Sequence, residues 1–221
     1  MGILKKERTC SNGSARRSGS VTPTRRVHHT LIPPRPAMRS DDNPRHQQPS
    51  GLDRFLFGVP YYPEHWSEAD RAHDPQRMAD AGVNVVRMGE FAWDRIEPEP
   101  GRFDFSLFDE TIERLGAAGI DTIFCTPTAS PPRWLTRDHD DWLRIDQQGR
   151  RMAHGSRQHC CTTHEGFRAE SRRITEALAE HFADHPRVVG WQTDNEFHCH
   201  FSLCYCDACR AGFQRWVAER Y

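Results

Sequence analysis

Apolar and polar positions change rhythm near residue 55. Before it, Gly, Ser, Pro and Arg come in irregular clusters (GSARRSGS, TPTRRVHHT, IPPRPAMRS), with almost no aliphatic residues at helical or strand spacing. Such a stretch buries too little apolar area to offset the entropy of ordering it, so residues 1–50 read as a disordered basic extension. Beyond it, short apolar runs alternate with amphipathic segments, the pattern of strands that cross over through helices into a parallel sheet. The spacing predicts a first strand over 55–60, then a helix opening at Asp74-Pro75 and closing at Ala81-Gly82, with Met78 on its apolar side. A second strand over 84–88 (NVVRM) precedes a helix with a capping box of Ser106 and Asp109. Phe108, Ile112 and Leu115 share a face of that helix, and Gly119 ends it. The third strand is 121–125 (DTIFC). A long loop containing Trp and Pro leads to a helix over 165–184 that buries Ile174, Leu178 and Phe182, a fourth strand over 188–191 (VVGW) and a last helix from near Asp207.

Four βα units therefore occupy the region 51–221. A closed barrel of this type has eight units and typically ~250 residues. A doubly wound sheet would carry a Gly-rich phosphate loop after a strand, and none follows 55–60. The expected fold is α/β, a (β/α)8 TIM barrel represented by about its first four βα units.

Charge and composition narrow the function. Charged residues make up 28% and mean hydropathy is −0.80, and no run approaches the ~18 apolar residues of a membrane span. The net charge of −1 hides an asymmetry, because residues 1–50 hold ten Lys or Arg against three acids and the remainder 20 against 28. The arginines of the basic head could touch nucleic acid, a weaker reading than an inert extension. No apolar core of a secretory signal follows the early lysines, so the expected location is cytoplasmic.

In a parallel barrel the functional groups gather just past the C-terminal ends of the strands. Those positions here are Tyr61 to Trp66, Gly89 to Trp93, Thr126 to Trp134 and Thr193 to Phe197. Each mixes aromatics with a carboxylate, amide or guanidinium, as sugars require, since their rings stack on aromatic faces while their hydroxyls need polar partners. Glu196, expected beside the indole of Trp191 and flanked by Asn195, is the candidate general acid: desolvation there would keep its carboxyl protonated near neutral pH. The competing role is a cap for the next segment. Asn195 is a candidate sugar ligand or the head of an Asx turn. Arg157 is a candidate hydroxyl donor or a solvated arginine, and Glu90 either a sugar ligand or the partner of Arg87.

Of eight cysteines, Cys204, Cys206 and Cys209 stand in a C-x-C-x2-C cluster that suits a tetrahedral zinc with a fourth ligand from elsewhere. Free thiols and disulfides are the alternatives. A C-x-C or vicinal Cys160-Cys161 bridge would be strained, and nothing indicates an oxidising compartment. Cys125 reads as core, and His198 and His200 as loop residues.

The segments FGVPYYPEHW (57–66), RMGEFAWDRIEPEPGRFDF (87–105), TPTASPPRWL (126–135), HGSRQHCC (154–161) and WQTDNEF (191–197) resemble, in order, the successive motifs of the glycoside hydrolase family 42 β-galactosidases. The resemblance covers residues 55–221 and implies a (β/α)8 barrel, hydrolysis of terminal β-D-galactosides with retention, and a homotrimer for the full-length enzyme. It puts the acid/base on Glu196 and sugar binding on Asn195 and Arg157. It implies a structural zinc on Cys204, Cys206, Cys209 and Cys161, with Cys160 the rival for the fourth place. The family's nucleophile belongs to the end of a seventh strand, beyond Tyr221, so the chain by itself is expected to be inactive. The alternative is a non-catalytic, zinc-stabilised protein that binds a carbohydrate or a partner.

Overall fold

The structure is a computed structural model that describes residues 54–155, 157–197 and 203–221. The expectations for 1–50, for Cys10 and for 198–200 lie outside the described residues. Strand β1 is Gly58–Pro60, followed by α1 (Glu68–Asp80), β2 (Val85–Met88), α2 (Trp93–Ile96), α3 (Ser106–Ala117) and β3 (Asp121–Cys125). Then come α4 (Arg133–Arg137), α5 (Glu165–Phe182), β4 (Val188–Gln192) and α6 (Asp207–Arg220). The strands form one parallel sheet in the order β1-β2-β3-β4, with Gly58 opposite Val85, Val85 opposite Asp121 and Cys125 opposite Gln192.

Which face the helices cover separates the two candidate architectures. Val86, Met88 and Phe124 alternate onto one face of the sheet and pack with Phe108, Ile112 and Leu115 of α3 and with Ile174, Leu178 and Phe182 of α5. Met78 and Ala79 of α1 join the same cluster. Phe124 lies 5.3 Å from Phe108 and 4.7 Å from Phe182, ring centre to ring centre. Each such buried side chain contributes about 1.5–3 kcal/mol. Three crossover helices on one face, with the strands in sequence order and no switch point, are a wedge of a barrel; a doubly wound sheet would have helices on both faces. The opposite face carries Val85, Arg87, Ile123 and Cys125.

Several boundaries differ from the sequence expectation, each for a local reason. Residues 55–57 are not strand, because the Asn84 side chain takes over the ladder: its Nδ2 donates to Phe55 O at 2.8 Å and its Oδ1 accepts from Phe57 N at 3.0 Å. Helix α1 does not open at Asp74-Pro75. It opens after Ser67, whose hydroxyl accepts from Asp70 N, and Pro75 sits inside it on the buried side. One intrahelical bond is lost there, a defect of about 3 kcal/mol that burial must offset. The capping box at Ser106 does not form either. Phe105 is the cap position, and the carboxylate of Asp104 accepts from both Ser106 N and Ser106 Oγ. These bonds hold the Asp104 carboxyl below the usual carboxylate range. Gly82 and Gly119 close their helices with positive φ, as expected.

A buried ionic knot ties the loop after β2 to α5. Glu97 is fully buried, and its carboxylate accepts from Trp93 Nε1 at 2.9 Å, Gly101 N at 2.6 Å, and Arg173 at 2.8 and 3.0 Å. Trp134 Nε1 donates to the Glu97 carbonyl at 3.0 Å. Every lone pair of that carboxylate has a donor, the condition under which a buried charge is tolerated.

Two stability predictions follow from these contacts. Glu97→Gln should lower unfolding stability by about 3 kcal/mol, read from the urea midpoint, since it breaks the pair with Arg173 from the buried side. Gly89 has φ +95°, and a Cβ there would stand 2.9 Å from the Phe124 ring. Gly89→Ala is expected to cost about 2 kcal/mol or more in the same measurement. An unchanged midpoint for either variant contradicts its account.

Candidate active site

Beyond the C-terminal ends of the strands, one hydrogen-bonded chain runs from the first strand to the fourth. Tyr62, just after β1, donates its hydroxyl to Glu90 Oε1 at 2.8 Å. Glu90 is fully buried and pairs with Arg87 of β2 at 2.7 Å. Arg87 NH1 also donates to Gln192 Oε1 of β4 at 3.2 Å, and Gln192 Nε2 donates to the carbonyl of Asp194 at 2.8 Å. Of its two candidate roles, Glu90 thus has the pairing with Arg87. Burial, then the bond to Glu90, pushes the Tyr62 phenol up. Burial, aided by the Glu90 charge, raises the Cys125 thiol to about 12, so Cys125 behaves as core.

After β4 the backbone makes a turn that ordinary residues rarely adopt. Asp194 and Glu196 have φ of +56° and +40°, and Gln158 on the facing loop has +57°. Such positions cost of order 1–3 kcal/mol each and persist only when surrounding contacts over-determine them. Here they do. Asp194 N donates to Thr126 Oγ1 at 2.7 Å, just past β3, and Asn195 N donates to Asp194 Oδ1 at 2.8 Å. Gln158 Nε2 donates to the carbonyl of Asn195 at 2.5 Å and to that of Glu196. Burial pushes the Asp194 carboxyl up.

The turn puts Glu196, Asn195 and Arg157 together. Arg157 NH1 bonds Glu196 Oε2 at 2.9 Å, and Asn195 Nδ2 reaches the same oxygen at 3.3 Å. The Arg157 guanidinium carbon lies over the Phe91 ring, 4.8 Å from its centre, and Phe91 in turn stacks on Tyr62. Two expectations fail at this point. The Glu196 side chain is 53% exposed and ion-paired, so the desolvated pocket is not there. Trp191 is not beside it, because strand alternation turns the indole onto the helix-facing side, 5.9 Å from Phe124. Of the aromatics at the strand ends, Trp93 is buried on Glu97 and Tyr61 is buried with its hydroxyl on Asp74 at 3.0 Å. Phe91 is the one that meets Arg157, with Tyr62 stacked on it. Sequence reasoning did not single out Phe91, Gln158, Thr126 or Gln192. Gln158 stands next to Arg157 in the GSRQ segment, and that adjacency was the available signal.

The second cluster is made of thiols. The sulfurs of Cys161, Cys204, Cys206 and Cys209 all lie within 4.8 Å of one another, with Cys161 Sγ 3.4 Å from Cys209 Sγ and 3.5 Å from Cys206 Sγ. Bonds of ~2.3 Å to a tetrahedral zinc would set sulfurs ~3.8 Å apart, so the donor set and spacing fit that ion. Cys160 is outside the group; it is buried in the hydrophobic core, its thiol raised to about 12 by that burial. Burial raises the thiols of Cys161 and Cys209, and that of Cys206 to about 11. At Cys204 burial acts the same way, but hydrogen bonds involving Cys206, Ile145 and Cys161 outweigh it and bring the thiol below its ordinary value. The four cysteines join the loop after β3 to the start of α6.

The glycoside hydrolase family 42 model, described as beta-galactosidase, matches residues 60–221. Beta-galactosidase BgaH of Haloferax lucentense is 48% identical over 168 residues, 76% of this chain and 25% of that protein. The solved beta-galactosidase of the Antarctic haloarchaeon Halorubrum lacusprofundi superposes with a TM-score of 0.73 at 47% identity, covering 76% of this chain and 25% of its own. That of the psychrophilic Marinomonas ef1 does so with a TM-score of 0.73 at 42% identity, covering 76% and 26%. The chain thus spans about a quarter of the length of the relatives it matches. On the family match and these identities, the chain belongs to the glycoside hydrolase family 42 β-galactosidases, and its four-stranded sheet is part of their TIM barrel.

Proposed function

We propose that this chain supplies the proton-donor side of a retaining β-galactosidase site, with Glu196 as general acid/base and Arg157 and Asn195 holding hydroxyls of a terminal β-galactoside. The observation that carries the reading is the Glu196 carboxyl held by Arg157 and Asn195 at the strand-end rim, in a chain of this family. Once substrate has taken Arg157 from it and the carboxyl carries a proton, Glu196 gives that proton to the glycosidic oxygen as the bond to the anomeric carbon breaks, and then takes one from the water that releases the sugar. Retention needs a second carboxylate ~5–5.5 Å away to form the glycosyl-enzyme, a role the family reading gives to a later strand. Arg157 spends one N–H on Glu196 and keeps others for substrate.

The test uses a hybrid in which the full chain replaces the matched quarter of the Halorubrum lacusprofundi enzyme. Glu196→Gln should cut kcat for lactose by ~10³-fold and for a nitrophenyl galactoside by ~10-fold or less, because the activated leaving group needs little acid assistance. Equal losses on both substrates discredit the acid role. A hybrid that binds galactose but turns over neither substrate supports the non-catalytic reading instead.

We further propose a structural zinc on Cys161, Cys204, Cys206 and Cys209. It would leave no open coordination position, so its work is to tie the two loops that flank Glu196. Purified full chain is expected to hold about one zinc, lost in Cys206→Ser with a fall in Tm of ~5 °C or more. Zinc-free protein of unchanged Tm removes the assignment.

A further inference from the structure

We propose that Gln158 is a positioning residue for Glu196: its side-chain amide clamps the left-handed turn at 194–196 and so sets where the carboxyl points. The inference rests on the reading of Glu196 as proton donor.

A turn of this shape joins neither the sheet nor a helix, so its carbonyls have no partner in the backbone ladder and turn to side chains or water. Gln192 Nε2 takes the carbonyl of Asp194, and the two hydrogens of Gln158 Nε2 take those of Asn195 and Glu196. One amide therefore serves the two residues at the centre of the site. Only the NH2 end of an amide can face two carbonyls, so the geometry also fixes which way the Gln158 side chain is turned. The residue is itself anchored, since Gln158 N donates to the carbonyl of Ala129 at 2.7 Å and the side chain is buried. Its backbone has φ +57°, a cost tolerated where a contact demands that conformation.

The described residues leave space beside the turn. A pocket of ≈ 280 Å³ lined by Thr128, Ala129, Arg144, Gln158, Asp194 and Phe197 lies against it among the described residues. Exposure of the Glu196 side chain points the same way: the carboxyl is steered by its backbone and by Arg157, not by walls.

Gln158→Met keeps length and removes the donor. In the hybrid enzyme, kcat for lactose should fall by ~10- to 100-fold and kcat for the nitrophenyl galactoside by less than ~3-fold, with KM for both nearly unchanged, since a misaimed acid matters only where protonation is needed. In the unmodified full chain carrying the same substitution, amide hydrogen exchange over 193–197 should speed up at least ~10-fold while α5 keeps its protection. Equal losses on the two substrates, or unchanged exchange in the turn, overturn the proposal. Should the Met variant lose protection in α5 as well, Gln158→Asn, which keeps an amide one methylene shorter, gives the same comparison and is expected to show the same selective loss. The two readings fail separately. Equal losses in Glu196→Gln remove the acid role, whereas an undisturbed turn in Gln158→Met removes only the clamp.

Discussion

Three successive backbone carbonyls, those of Asp194, Asn195 and Glu196, accept from side-chain amides, and much of the candidate site depends on that arrangement. A strand that ended in a helix would have satisfied these groups by itself. Here β4 ends in a left-handed turn, so each carbonyl must be met from outside, and the donors come from Gln192 and Gln158. Thr126 adds the remaining anchor by accepting from Asp194 N. The price of the conformation is local strain, and what it gives is a carboxyl projecting from the rim instead of lying along the sheet.

Behind the turn, the ends of the strands are joined to one another. Tyr62, Glu90, Arg87 and Gln192 pass a hydrogen-bonded chain across the sheet from β1 to β4, and Glu90 is its buried charge. The bonds from Tyr62 and Arg87 both fall on Glu90 Oε1, and its buried Oε2 meets no donor among the described residues; with Arg87 removed the charge would be uncompensated. The Glu97 knot does the corresponding work on the helix side, where two indoles and a guanidinium converge on one residue. The sheet is therefore held by charge at its rim and by Phe, Leu and Ile at its outer face.

The alternation of apolar runs and amphipathic segments was enough to read four βα units and three of the apolar faces, because burial alone dictates that pattern. Boundaries were less legible. Asp74-Pro75 has the chemistry of a helix start, yet Ser67 caps the helix earlier by accepting from Asp70 N, and Pro75 is buried inside it. The Ser106 capping box lost to Asp104, whose carboxylate, two residues away, takes both the Ser106 N–H and its hydroxyl. At the candidate site, Glu196, Asn195, Arg157 and the four thiols were visible as residue types at telling spacings, and the structure brings them into two clusters. The setting of Glu196 was not visible. Which face of β4 Trp191 occupies, and which backbone angles the next residues take, depend on strand register and on Gln158, neither of which a single segment encodes.

The Arg157 guanidinium sits over the Phe91 ring and gives one N–H to Glu196. Its other N–H groups lie in the guanidinium plane. If a sugar hydroxyl is received there, it must come in along that plane, so an axial and an equatorial hydroxyl at the same carbon present themselves differently. Stereochemical discrimination would then begin with a benzyl ring in the loop after β2, which has no polar atom to offer.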